Sequence, residues 1–147
     1  MIRRATLDDA SRIAEILVFT KRMNYRRIFQ NDKVSFGEIQ VYPLAAEYIE
    51  NPDKLEHIWV YDDEFVKGMV HIDGETIAEL YVDSFFANQG IGGKLIQFAT
   101  DQKQCRRLWV LEKNTDAIRF YERYGFTLTG ERRLEEGTPE YIVEMKR

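Results

Sequence analysis

The chain has 147 residues, 44% of them hydrophobic and 31% charged, with a formal net charge of -4. That length suits a single domain, 1–147, with a core of its own, and the composition excludes a disordered chain. The acidic balance excludes a nucleic-acid protein held by phosphate contacts, and no apolar run approaches the roughly 20 residues that a membrane span needs.

In chain order, Ile2–Thr6 reads as a first strand. Thr6 to Ala10, "TLDDA", opens a helix with acidic residues in its first turn. Ile13, Ile16, Leu17 and Thr20 recur at helical spacing, so a first helix is expected from Asp9 to about Met23. The basic run Lys21–Arg27 lies at its end, where positive charge favours the helix dipole. Asn24 to Phe36 reads as a loop or broken helix, and Phe36–Ile49 as a second helix that Pro43 either bends or starts.

Three alternating segments follow, His57–Tyr61, Phe65–Ile72 and Thr76–Asp83, joined by acidic and Asp-Gly turns. Gly90 to about Gln104 is a third helix, and "RRLWVLEKN" is an almost wholly apolar strand of the kind buried on both faces. Asn114 to Phe126 gives a fourth helix, with Thr115 or Asp116 as its cap and Gly125 as its stop. A terminal pair of strands closes the order β-α-α-β-β-β-α-β-α-β-β. That order describes a mixed sheet with helices packed on it and a strand–helix–strand crossover after Val82.

Single Cys105 allows no internal disulfide and fits a reducing compartment, so a cytoplasmic location is expected. His57 and His71, without a cysteine pair, give no metal-ligand spacing, and no metal is expected.

Gly90, Gly92 and Gly93 stand at a helix mouth, a costly position unless backbone must approach something closely. Two phosphate loops fail on spacing. A Walker loop would need glycine at Asn88 and a hydroxyl at Leu95, and a dinucleotide fingerprint would need glycine at Leu95. What remains is a loop whose successive N–H groups converge on a pyrophosphate at the helix N-terminus.

With "ELYVDSFF", "NQGIGGKLIQFA" and "RLWVLEKNTDAIRFYERYGF" in that order, the chain resembles the GNAT superfamily of N-acetyltransferases over Glu79 to Phe126. The resemblance implies a GNAT-like α/β fold: a central, mostly antiparallel sheet with a β4-α3-β5 crossover and helices on both faces. It also implies acetyl-CoA as cosubstrate and acetyl transfer to a primary amine of a small molecule or peptide. Partners would be that amine and, as in many relatives, a second copy of the chain. The family loop begins with Gln or Arg two positions before the residue preceding the first glycine; here that residue is Ala87. A phosphate contact from that side chain is therefore missing, or comes from Asn88, Gln89 or Lys94.

By the same resemblance, the pantetheine arm would lie along the backbone of Leu80, Tyr81 and Val82. The amides of Gln89, Gly90, Ile91, Gly92, Gly93 and Lys94 would receive the pyrophosphate. Tyr121 would give a proton to the leaving thiolate, although Ala117, Phe120, Tyr121 and Tyr124 also form a helical stripe that spacing alone reads as core. Asn114 would touch the pantetheine, or serve as a turn residue. Glu79 would relay the amine's proton, or be a solvated strand carboxylate; His71 is a similar candidate. Tyr25, Arg26, Phe29 and Tyr42 would wall the acceptor site. The rival reading is a CoA-binding module with little transferase activity.

Overall fold

The computed structural model describes residues 1–29 and 41–147, with residues 25–29 described by their backbone alone. A seven-stranded sheet runs in the order β1-β2-β3-β4-β5-β7-β6. Its strands are β1 (Ile2–Arg4), β2 (Ile58–Asp63), β3 (Phe65–Asp73), β4 (Thr76–Val82), β5 (Arg107–Leu111), β6 (Thr127–Leu134) and β7 (Tyr141–Lys146). Every adjacent pair is antiparallel except β4 and β5, which the crossover through α3 (Ile91–Gln97) makes parallel.

Helices cover both faces. One core joins α1 (Ala10–Phe29) and α2 (Val41–Glu50) to the sheet through Ile13, Ile16, Tyr48, Ile58, Val60 and Met69. The other joins α3 and α4 (Thr115–Arg123) to the opposite face through Ile91, Leu95, Ile96, Leu108, Val70 and Phe126. Fully buried aliphatics such as Ile13, Leu95 and Ile96, at about 1.5–3 kcal/mol each, are the main force closing both layers.

Several boundaries differ from the sequence reading for identifiable reasons. Helix α1 continues to Phe29, so Asn24–Phe29 is helical and the basic run lies in the last turns of the helix. Lys21 there is tied to Glu79 across the sheet at 3.4 Å, and so serves a partner on β4. Pro43 is the third described residue of α2, Val41–Glu50. The expected helix over 36–40 lies outside the described residues. After Gln97, α3 passes into a wider turn over Phe98–Gln102, and Cys105 is buried just beyond it. Helix α4 is capped by Asn114, whose side-chain oxygen accepts the N–H of Ala117 at 3.2 Å, and not by Thr115 or Asp116. Gly125 ends it with φ +92°, as expected.

Asp9 anchors the start of α1. Its carboxylate accepts two hydrogen bonds from Arg3, at 2.8 and 2.9 Å, and one from the Thr6 N–H at 2.8 Å. Arg12 ties α1 to the far end of β4, donating to the Val66 carbonyl at 2.8 Å and to Asp83 at 2.7 Å.

Candidate active site

Two irregularities in β4 create the site. Along β3, His71 faces Glu79 but Ile72 faces Ile77, so Ala78 is an extra residue. Such a bulge inverts the alternation of side chains beyond it. Ile77 packs into the α3–α4 core; past the bulge, Leu80 and Val82 take that face, while Tyr81 turns to the α1–α2 core. Glu79 consequently looks toward Lys21 on α1.

The second irregularity is a split. β5 pairs with β4 only at Thr76 and Ile77, and beyond them the parallel strands part. A cleft of about 470 Å³ opens between them. Glu79, Leu80, Tyr81 and Val82 form one wall and Trp109, Val110 and Leu111 the other. Asn114, Ala117 and Tyr121 of α4 close one side, and Thr20, Lys21 and Asn24 of α1 stand on the other.

Tyr121 faces this cleft with its ring wedged edge-on between Phe120 and Phe126. Burial pushes its phenol up to about 12, so it stays protonated across the neutral range. Within its helical stripe Phe120 and Tyr124 pack against α3, while Tyr121 borders the cleft. Asn114 likewise combines a cap with a place in the cleft wall.

Glu79 has two basic side chains beside it, Lys21 Nζ at 3.4 Å and His71 Nδ1 at 3.5 Å. Burial alone would raise its carboxyl, but the hydrogen bond from His71 and the charge of Lys21 outweigh it and hold the pKa below the usual range. It borders both the main cleft and a smaller cavity of about 250 Å³ that includes Tyr48 and Leu44 of α2. Glu79 is thus ionised at neutral pH, in the form able to accept a proton.

At the Val82 end of the cleft, α3 begins. Gly90 has φ +81° and no neighbour within 4 Å of where a β-carbon would stand, so its glycine serves backbone conformation. Gly92 and Gly93 serve packing: a β-carbon on Gly92 would meet Phe120 at 3.3 Å, and one on Gly93 would collide with the Tyr124 hydroxyl. The glycine cluster thus has two origins, only one of which concerns the loop.

The first helical bond runs from the Lys94 N–H to the Gly90 carbonyl at 3.1 Å. The Lys94 amide is therefore not among the open donors, a correction to the set expected from the sequence. The amides of Gly90, Ile91, Gly92 and Gly93 have no hydrogen-bond acceptor among the described residues. The Lys94 ammonium lies over Tyr61, 3.4 Å from its hydroxyl, on the β2 side of α3. Gln89 is exposed beside Gly90.

Of the expected acceptor walls, Tyr42 is 84% exposed on α2 and lines neither cavity. Tyr25, Arg26 and Phe29 fall where only the backbone is described. The cleft also holds Trp109, Arg133 and Glu135 from the β5–β7–β6 side of the sheet, which the sequence reading did not single out. Among the described residues no group of His, Cys, Asp and Glu is arranged to hold a metal ion, and no helix is long and apolar enough to cross a membrane.

A split parallel pair, a bulged strand before it and a helix mouth with open amides at its end are thus brought together around one cleft. The family model described as "Acetyltransferase (GNAT) domain" matches residues 54–128, half of the chain. The chain belongs to the GNAT family of acetyltransferases.

Among its GNAT relatives, the peptidyl-lysine N-acetyltransferase YjaB of Salmonella typhimurium is 31% identical over 103 residues, covering 69% of this chain and 70% of that one. The spermine/spermidine N(1)-acetyltransferase of Bacillus subtilis is 32% identical over 77 residues, 48% of this chain and 47% of that relative. The match thus spans about half the length of that relative. Two solved structures share the fold. The apo form of YjaB from Escherichia coli has a TM-score of 0.71 at 20% identity, over 99% of this chain and 95% of that one. yncA from Salmonella typhimurium, solved with its cofactor acetyl-CoA, has a TM-score of 0.68 at 19% identity, over 100% and 92%.

Proposed function

We propose that this GNAT-family chain transfers the acetyl group of acetyl-CoA to a primary amine by direct attack of the amine. The observation that carries this reading is the parting of β4 from β5 beyond Ile77, next to a helix whose first-turn amides are open. A diphosphate suits Gly90, Ile91, Gly92 and Gly93, because four converging N–H dipoles and the helix terminus favour negative charge. An extended arm suits the β4 edge that β5 leaves uncovered. The missing side chain at Ala87 removes no amide, so the donor set stays intact.

Acetyl-CoA, when bound, supplies an activated thioester. The residues supply the rest. The β4 backbone holds the arm in line, and the sheet and α4 exclude water from one side. Tyr121 holds a proton at its hydroxyl, available to the departing thiolate. Glu79, ionised and half-buried beside Lys21 and His71, accepts the amine's proton directly or through water. The amine of a small molecule or peptide enters from the α1 side, between Lys21, Asn24 and the β6 end.

Thiol release from acetyl-CoA, measured across a panel of polyamines, amino acids, aminoglycosides and peptides, tests the reading. Amine-dependent release that drops in Tyr121→Phe supports it. Tight acetyl-CoA binding with no release for any amine would leave a binding module in its place.

A further inference from the structure

We infer that Arg133 is a specificity residue that recognises a carboxylate on the acceptor, so that the preferred acceptor is a small amine bearing a carboxylate and not a polyamine. The inference rests on the proposed acetyl transfer.

Arg133 lies on β6, with Ile142 of β7 opposite it and Leu111 of β5 opposite Ile142. Its side chain reaches back across β7 to β5, where its guanidinium carbon lies 4.3 Å from the centre of the Trp109 ring. Strands are about 5 Å apart, so this carries the charge two strands inward, toward the cleft that both residues line.

A guanidinium held over an indole ring spends none of its N–H donors on that contact, so its fork of donors remains for another group. That fork matches a carboxylate in two-point fashion. The neighbouring Arg132 shows the contrast: on the opposite face of β6 it spends the same fork on Glu112, at 2.7 and 3.1 Å. Arg133 has no carboxylate partner among the described residues. The other cation of the cleft, Lys21, is held by Glu79.

Glu135, two residues beyond Arg133, lines the same cleft and supplies the opposite charge. A guanidinium and a carboxylate lining one cleft suit a zwitterion, an amine and a carboxylate within one small molecule. A polyamine has no carboxylate to offer Arg133, so it would leave that guanidinium uncompensated beside its own positive charge. The cleft of about 470 Å³ must also hold the acetylated arm, which favours a compact acceptor.

The test compares kcat/KM for L-amino acids, their methyl esters, a short peptide opening on aspartate, and spermidine, in the wild type and in Arg133→Met. Methionine keeps an apolar contact with Trp109 and removes the charge. The expected result is a preference of acid over ester of about tenfold to a hundredfold in the wild type, collapsing toward unity in the variant. Better use of the peptide than of any free acid would keep the carboxylate and reassign its source. Equal use of acid and ester in the wild type, a preference that survives Arg133→Met, or spermidine as the best acceptor overturns the inference while leaving acetyl transfer intact. Acetyl-CoA binding without thiol release for any acceptor overturns both.

Discussion

Gly93 lies so close to the Tyr124 hydroxyl that no β-carbon fits between them. The contact locks α3 against α4, which sets the first turn of α3 on one side and Tyr121 on the other. Gly93→Ala should therefore destabilise the protein by about 1–3 kcal/mol, as overpacking does. Tyr124→Phe, which removes the obstructing oxygen, should recover part of that loss in the double variant. Denaturant unfolding of the four proteins measures the coupling; simple additivity would deny the contact.

Gly90 provides a different expectation, because its glycine answers to φ +81° and not to crowding. Gly90→Ala should cost about 1–2 kcal/mol from the left-handed backbone and weaken acetyl-CoA binding. Gly74, at φ +61° in the β3–β4 turn and equally open, is the matched control. Gly74→Ala should show similar strain with unchanged acetyl-CoA affinity, and calorimetry distinguishes the two.

Tyr121→Phe should lower kcat by about a hundredfold or more while leaving acetyl-CoA affinity within a few-fold. With its phenol pushed up to about 12, Tyr121 should contribute no falling limb to the rate profile below about pH 11. Equal losses in turnover and binding would assign the ring to packing alone.

Acid stability follows from Asp9. Hydrogen bonding from Arg3 outweighs burial and holds its carboxyl below the usual value. A depressed folded-state pKa stabilises the fold above the unfolded value, and that stabilisation disappears as pH falls through the folded value. Asp9→Asn should thus be destabilised by about 1–3 kcal/mol at neutral pH. The gap to the wild type should narrow steadily below about pH 4, as unfolding curves taken across that range would reveal.

Much of this was legible in the chain. Strand alternation, the Asp-Gly turn at Gly74, the stop at Gly125 and the spacing from Glu79 to Phe126 reflect local rules, and local rules act on neighbours in sequence. The features that shape the site depend on register instead. Nothing in "TIAELYV" marks Ala78 as an extra residue; only pairing with β3 shows that Glu79 and Ile77 look to opposite faces. Arg133 reads as one charge in an exposed strand until β7 brings it within reach of Trp109. Gly92 and Gly93 look like parts of a phosphate loop, because Phe120 and Tyr124, the side chains that require them, lie more than a helix away. Asn114 was misjudged for a smaller reason: Asn, Thr and Asp all cap well, and three of them stand in a row.

The central claim is that the open amides at the start of α3 receive the diphosphate of acetyl-CoA. Backbone amide shifts followed by NMR during titration with acetyl-CoA test it most directly. The account predicts the largest changes at Gly90, Ile91, Gly92 and Gly93, with Lys94 moving less because its amide already bonds to Gly90. Saturating titration with those four amides unmoved, and changes gathered around Tyr61 and Lys94 on the other side of α3, would contradict it.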